Sequence, residues 1–370
     1  MEISLKKKRV KNGLNFLKNS IPSNPQLPIL SNIRLKLQEK TLTLSATDLY
    51  LGVKTRVEVS CKGELDLVVP GSTFKDLIYS FENKEIHLEK KDKSIIIKAG
   101  SSKVNIPFQN SDEYPDFPKV EGEEFKLKAK TLEEIKNLVS FAASSDQARP
   151  VLTTVLLKCS KQGLEAVATD GFRLAVLKFD ELKTNKEKAL LIPVKALNEV
   201  SRIVSQTNAS EAVLQVSEEL KQIKFKVEST EIFVRLIEGD FPPYEKIIPS
   251  SFSSELKIEG KRFKKELSRA YILAKESSSI VRLKFEKELL EIKTASTALG
   301  KYRGEMEVKN KQKDSNEIAF NANYLIDFLN NVKSEEVIFK MNESLKPAII
   351  QVKERENYKY IIMPFRINEN

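Results

Sequence analysis

The segment from Leu164 to Val176 reads LEAVATDGFRLAV, and that from Leu42 to Val53 reads LTLSATDLYLGV. A Thr-Asp pair at a strand end could carry acid chemistry or simply make a turn. Asp170 can accept nearby backbone amides and Gly171 can take positive φ, so the pair reads first as a turn. A third copy, LEIKTASTALGKY, has Ser296 in the aspartate's place; a catalytic group need not be duplicated and then dropped. His87 is the only histidine and sits in a strand-like run, which removes His-based triads, metal pairs and HExxH helices. Cys61 and Cys159 lack CxxC spacing and fall in apolar runs, so both read as buried, inert thiols. The glycines form neither GxGxxG nor a P-loop. Asp and Glu total 52, and the sequence leaves a paired acid/base site open. Pairs such as Glu133-Glu134 and Glu335-Glu336 read as polar, solvated helix faces. No metal and no cofactor is expected.

The elements that hold the Thr-Asp corner recur. Thr47 and Thr169 are 122 residues apart, and the following LVVPGSTFKDLIYSF and LLIPVKALNEVSRIV match at an offset of 123, from Pro70 to Pro193. IAFNANYLIDFLNNV is a third version, with Phe320 in the proline's place. Each is an apolar strand leading into an amphipathic helix, with Leu77 and Phe81, or Leu197, Val200 and Val204, at helical spacing. IIIKAGSSKVNIPFQNSDEYPDF and IKFKVESTEIFVRLIEGDFPPY match further on as paired strands, and AIIQVKERENYKYIIMPFRI closes the series. Three units of about 120 residues, each mixing helices with antiparallel strands, predict an α+β chain of three domains, 1-120, 121-250 and 251-370. The boundaries fall in the Pro-rich stretch Tyr114 to Lys119 and the loop Pro249 to Ser254.

The chain of 370 residues is 41% hydrophobic and 31% charged, a folded composition. No window reaches the ~18 apolar residues of a membrane span, and MEISLKKKRVKNG lacks a signal peptide's apolar core, so the expected location is cytoplasmic. Net charge is +10, which suits a polyanion partner such as nucleic acid. In LKKKRVKNGLNFLKNS, Val10, Leu14 and Leu17 share one helical face while Lys7, Lys8, Lys11 and Lys18 lie away from it. EGKRFKKELSRAYILAKES repeats this, with Phe263, Leu267, Ala270 and Ala274 inward and Lys261, Lys265 and Arg269 outward. Lys136 and Arg202 are weaker versions in repeat two. No aromatics interleave with these cations and no recognition-helix motif occurs, so such a surface would hold phosphates without reading bases. Domains of about 120 residues have diameters near 35 Å, and six in a circle leave a hole of roughly 35 Å. That admits duplex DNA, and a two-fold dimer of three-repeat chains supplies the six.

Four motifs carry a resemblance to the bacterial DNA polymerase III β subunits, the sliding clamps: LPILSNI from Leu27, ATDGFRLAV from Ala168, GDFPPYEKIIP from Gly239 and YIIMPFRI from Tyr360. The resemblance runs along the full length. It implies three clamp domains, each with two helices packed on antiparallel sheets, and a ring-forming homodimer. The ring would encircle double-stranded DNA and confer processivity, with no chemistry of its own. Implied partners are the DNA polymerase III alpha subunit, the clamp loader, and other polymerases and repair factors bearing clamp-binding peptides; no membrane is implied. Matching positions for the peptide groove between the second and third domains are Leu152, Thr169, Gly171, Phe172, Arg173, Leu174, Pro242, Lys246, Ile247, Tyr324, Pro347, Ile361, Ile362, Met363, Pro364, Phe365 and Arg366. Leu174, Ile247, Ile361 and Met363 would line an apolar pocket with arginines as its polar rim. The DNA-facing set would be Lys7, Lys8, Lys11, Lys136, Arg149, Lys195, Arg202, Lys261 and Lys265, and Val104, Ile106, Ile272 and Leu273 would meet across the dimer joint. Phe172 stands where the family commonly has histidine and Lys246 where arginine is frequent, which points to an altered peptide preference. Asn24, Ser72 and Thr73 replace residues that are often basic near DNA, and Asn368 to Asn370 extend past the usual end. The alternatives are a static, non-specific DNA-binding protein and a metal-free hydrolase on a repeat scaffold.

Overall fold

Helical periodicity resolves into six α-helices among the described residues: α1 (Lys7–Leu17), α2 (Gly71–Ser80), α3 (Ala129–Leu138), α4 (Val194–Thr207), α5 (Gly260–Ala274) and α6 (Ala322–Asn331). The computed structural model describes residues 2–61, 63–185, 187–276, 278–296, 298–310 and 316–366, so the extension Asn368 to Asn370 lies outside them. Val10, Leu14 and Leu17 of α1 and Phe263, Leu267, Ala270 and Ala274 of α5 are fully buried, as the spacing predicts. Leu197, Val200 and Val204 of α4 are buried too. In α2 the expectation is off by a position: Phe74 and Ile78 enter the core, while Leu77 is half-buried. Phe81 sits just past the helix in extended backbone.

The strands are antiparallel throughout the described sheets. Contacts group the chain into two units, Met1–Lys130 with Asn198–Leu236, and Thr131–Leu197 with Ile237–Asn370. Each unit holds a four-stranded and a nine-stranded sheet. Four strands matter most below: β1 (Leu51–Glu58), β2 (Arg173–Phe179), β3 (Thr230–Arg235) and β4 (Tyr358–Ile362). In the first unit, β3 zips onto β1 with Phe233 opposite Gly52. In the second, β4 zips onto β2 with Ile361 opposite Leu174. Each seam joins strands of successive repeats into its own nine-stranded sheet, so a chain of three repeats falls into two units.

The Pro-rich stretch Tyr114 to Lys119 has no regular structure, yet it is anchored: Tyr114 is buried and its hydroxyl donates to the Asn32 carbonyl at 3.5 Å. Burial pushes that phenol up to about 12. Glu335-Glu336 is not on a helix; Glu336 opens the strand Glu336–Met341. Glu134 is not freely solvated either, since Arg355 donates to it at 3.0 Å. Cys159 is buried as expected, but Cys61 is only half-buried. Among the described residues no helix is long and apolar enough to cross a membrane, and no cluster of three metal-ligating side chains occurs.

Candidate functional site

The Thr-Asp corner is a turn held by its own side chains. Asp170 Oδ1 accepts the amides of Phe172 and Arg173, both at 2.9 Å, and Gly171 takes φ 94°. Thr169 Oγ1 donates to the Arg173 carbonyl at 2.6 Å and accepts the Gly171 amide at 3.0 Å. Asp48 repeats the pattern on the amides of Tyr50 and Leu51 at 3.0 and 2.7 Å. In the third repeat Ser296 Oγ takes over more weakly, accepting the Leu299 amide at 3.3 Å. The aspartates therefore shape the backbone of their turns.

What the second corner positions is an apolar sheet face. Leu174 of β2 and Ile361 of β4 are buried with Leu156, Val167, Val176, Leu191, Tyr244 and Ile349. Val151, Ile237, Phe241, Ile248 and Phe252 pack half-exposed against this floor. Burial, then the carboxylates of Glu165 and Glu245, push the Tyr244 phenol well above its ordinary range. Phe172, Ile247 and Phe365 remain 50, 42 and 36% exposed. The Met363 amide donates to the Phe172 carbonyl at 2.8 Å, tying the last strand's end to the corner.

The expected site needs correction in three places. Leu174 and Ile361 are fully covered, so they belong to the buried cluster beneath Val151, Phe241 and Ile248 and do not line an open pocket. Ile362 is completely buried and, by strand alternation, faces the side opposite Ile361. Arg173 is not an open rim: its side chain is 11% exposed and bonded to Asp170 at 3.1 Å and Asp327 at 2.6 Å. Its guanidinium also lies 4.7 Å from the Tyr324 ring centroid, and Tyr324 stacks on Phe172 at 6.5 Å. Arg366, Pro242 and Lys246 are exposed, while Leu152, Pro347, Met363 and Pro364 are half-buried. The sequence reading missed Val151, Leu156, Val167, Val176, Phe241, Tyr244 and Ile248. Val176 was reachable by period two along β2; Leu156 and Val167 depend on cross-strand register, and Val151, Phe241, Tyr244 and Ile248 on irregular segments that fold back over the sheet.

That register makes a controlled comparison within one chain. Leu156 pairs with Val167 and Leu191, Val167 with Val176, and Leu174 with Ile361. In the first unit Arg34 pairs with Ser45 and Val68, Ser45 with Lys54, and Gly52 with Phe233. The same positions thus carry Leu156, Val167, Leu174 and Val176 at one seam and Arg34, Ser45, Gly52 and Lys54 at the other. At the first seam Ser45, Val68 and Phe233 are buried and Arg34 is held by Asp66 and Asp116, so the chain itself covers that mixed face, whereas the second seam is apolar at every one of these positions.

Profiles of the DNA polymerase III beta subunit match the chain almost end to end: the N-terminal domain at residues 1–118, the central domain at 126–243 and the C-terminal domain at 245–366. The chain belongs to the DNA polymerase III beta subunit family. It is therefore a DNA sliding clamp, a processivity factor without catalysis of its own. It is similar to the beta sliding clamps of Staphylococcus epidermidis, 28% identical over 99% of both chains, and of Staphylococcus aureus, 27% identical over the same shares. The structure of the DNA polymerase III beta subunit from Thermotoga maritima superposes with a TM-score of 0.92 at 25% identity, covering 99% of this chain and all of that one.

The basic residues divide as the clamp family would not have revealed. Lys8, Lys11, Lys195, Lys261 and Lys265 are exposed, and Lys7 and Lys136 are half-buried. Arg202, expected to face DNA, is instead locked inside its own unit. It donates to Glu199 through Nε at 2.8 Å, to Gln206 at 2.7 Å and to the Asn15 carbonyl at 2.9 Å, where α1 ends. Arg149 bonds Asp146 at 3.1 Å, and its terminal nitrogen would lie 3.7 Å from a Cβ on Gly171, which sets it beside the Thr-Asp corner. Of the expected dimer residues, Ile272 is 61% exposed, Leu273 and Val104 are half-buried, and Ile106 is buried in its own unit against Ile95.

Proposed function

We propose that this clamp closes with a second copy into a head-to-tail ring around double-stranded DNA, and that partners hang from it by a short peptide seated over the Leu174–Ile361 floor. The observation that carries the second half is the register comparison: positions holding Arg34, Ser45, Gly52 and Lys54 at one seam hold Leu156, Val167, Leu174 and Val176 at the other, where the whole face is apolar. An apolar side chain laid on that floor would be covered by Phe172, Ile247 and Met363, with Arg366 and Lys246 as polar rim. A Pseudomonas aeruginosa sliding clamp of the same fold is known bound to griselimycin. Partners on this reading are the DNA polymerase III alpha subunit, the clamp loader, and other polymerases and repair factors. The three repeats would act as domains 1-120, 121-250 and 251-370, working in the cytoplasm.

Lys8, Lys11, Lys261 and Lys265 present charge without aromatic platforms, which suits sequence-independent contact with phosphates. The test is topological. Labelled protein is loaded onto nicked circular plasmid with a clamp loader from a related bacterium and washed at high salt, and half the sample is then linearised. Retention on circles with release on cutting is the expected result. Salt-resistant retention on both forms, or loss from both, would leave a static DNA-binding protein and overturn the ring.

A further inference from the structure

The first seam, whose sheet face mixes Arg34, Ser45 and Lys54 with Val68 and Phe233, keeps a separate cleft of about 150 Å³ bounded by Phe117, Phe233, Val234, Leu49, Tyr50 and Arg235. A cavity of about that size accommodates a benzene ring. Phe117 fills the space that a side chain at position 52 would need, since a Cβ on Gly52 would lie 2.6 Å from its ring. Phe117 and Phe233 pack at 5.0 Å and give the cleft an aromatic floor.

Two features of the rim run against stability. Leu49 occupies the turn position that Gly171 holds in the second repeat, and it takes φ 73°, a region leucine avoids. Its side chain is nevertheless 50% exposed, and the neighbouring Tyr50 is 63% exposed. Thr47 and Asp48 fix both residues through the amides of Leu49 and Tyr50, each at 3.0 Å, so the rim is organised in advance. Asp116, also at the cleft, is bonded to Arg34 at 2.9 Å. Arg235 has no ion pair among the described residues and supplies the mouth with positive charge.

We propose that this cleft is a second peptide-docking site, taking an extended segment of a partner whose leucine or phenylalanine enters between Leu49, Tyr50 and Phe117 and whose adjacent carboxylate meets Arg235. It rests on the reading that partners engage this clamp through short peptides. The first site offers a broad aliphatic floor; this one offers a ring-sized slot beside one cation, so the two would hold different parts of one partner or different partners.

The probe is a fluorescently labelled N-acetyl Leu-Asp-Leu-Phe peptide, titrated by anisotropy against the full chain up to about 1 mM. Two peptides per wild-type chain are expected. The double variant Leu49→Gly, Tyr50→Ala should bind one. Its melting temperature should not fall, because glycine relieves the strained turn. Arg235→Glu should weaken the same site, and Phe172→Asp should remove only the other one. One peptide per chain in the wild type, unchanged by Leu49→Gly, Tyr50→Ala, overturns the second site while leaving the first intact. Two per chain with no response to Phe172→Asp would instead overturn the first.

Discussion

Arg202 and Lys8 carry the same charge into opposite roles. The Arg202 side chain is 18% exposed, and its partner Glu199 is 2% exposed. Asn19 donates to the same carboxylate at 2.7 Å. Removing the arginine would strand a buried carboxylate and uncap the carbonyls that end α1, whereas Lys8 stands on the solvated face of that helix. Breaking a buried pair costs about 3 kcal/mol or more, and a surface lysine very little. Arg202→Ala should therefore lower the melting temperature by several degrees while leaving the salt dependence of DNA binding unchanged. Lys8→Ala should do the reverse. Thermal melts paired with duplex titrations at several salt concentrations check both; a stable Arg202→Ala protein with a reduced salt slope would return Arg202 to the DNA-facing set.

Element by element, the two seams show what amphipathic patterning can and cannot reveal. Helix faces were legible because α1 and α5 alternate apolar and charged residues at period 3.6. The turn was legible because Thr-Asp before a positive-φ position has few other uses. At β4 the pattern goes silent: YIIM is apolar on both faces, so Ile361 and Ile362 look equivalent although they face opposite sides of the sheet. Glu134 misled for a related reason, since Arg355 lies 221 residues away, whereas Arg202 is held by Glu199 and Gln206 on its own helix as well as by the Asn15 carbonyl 187 residues away. The first seam also makes a pH prediction. Arg34 holds Asp66 through two bonds of 2.8 Å. Burial alone would raise the Asp66 carboxyl, but Arg34, with Ser111 and Lys36, outweighs it and holds the carboxyl below its ordinary 3.8. A depressed carboxylate adds stability that is present above 3.8 and disappears as pH falls through its lower folded value. Asp66→Asn should thus melt earlier at neutral pH and converge with wild type in strong acid. Parallel curves of melting temperature against pH would show that the pair contributes nothing.

For the whole molecule, the question is whether charge or closure keeps the clamp on DNA. A net charge of +10 per chain draws any polyanion, and ionic contact alone would look like function in a simple binding assay. The two mechanisms separate by their salt response. Each phosphate neutralised by a lysine contributes about −0.9 to the slope of log K against log salt. Changing Lys8, Lys11, Lys261 and Lys265 to glutamine in both copies of a ring should reduce that slope by up to about 7 on short linear duplex. A closed ring on circular DNA answers to a different barrier, the opening of its dimer joints, where the expected residues are Val104, Ile106, Ile272 and Leu273 and not these lysines. The quadruple variant should therefore lose most of its affinity for linear duplex yet keep its lifetime on a circle once loaded. If the lifetime on circles falls in step with the affinity for linear duplex, lysine contacts and not encirclement are what retain the protein. If the slope on linear duplex does not move, these four lysines face away from DNA, and the first residues to test in their place are Lys195 and Lys136.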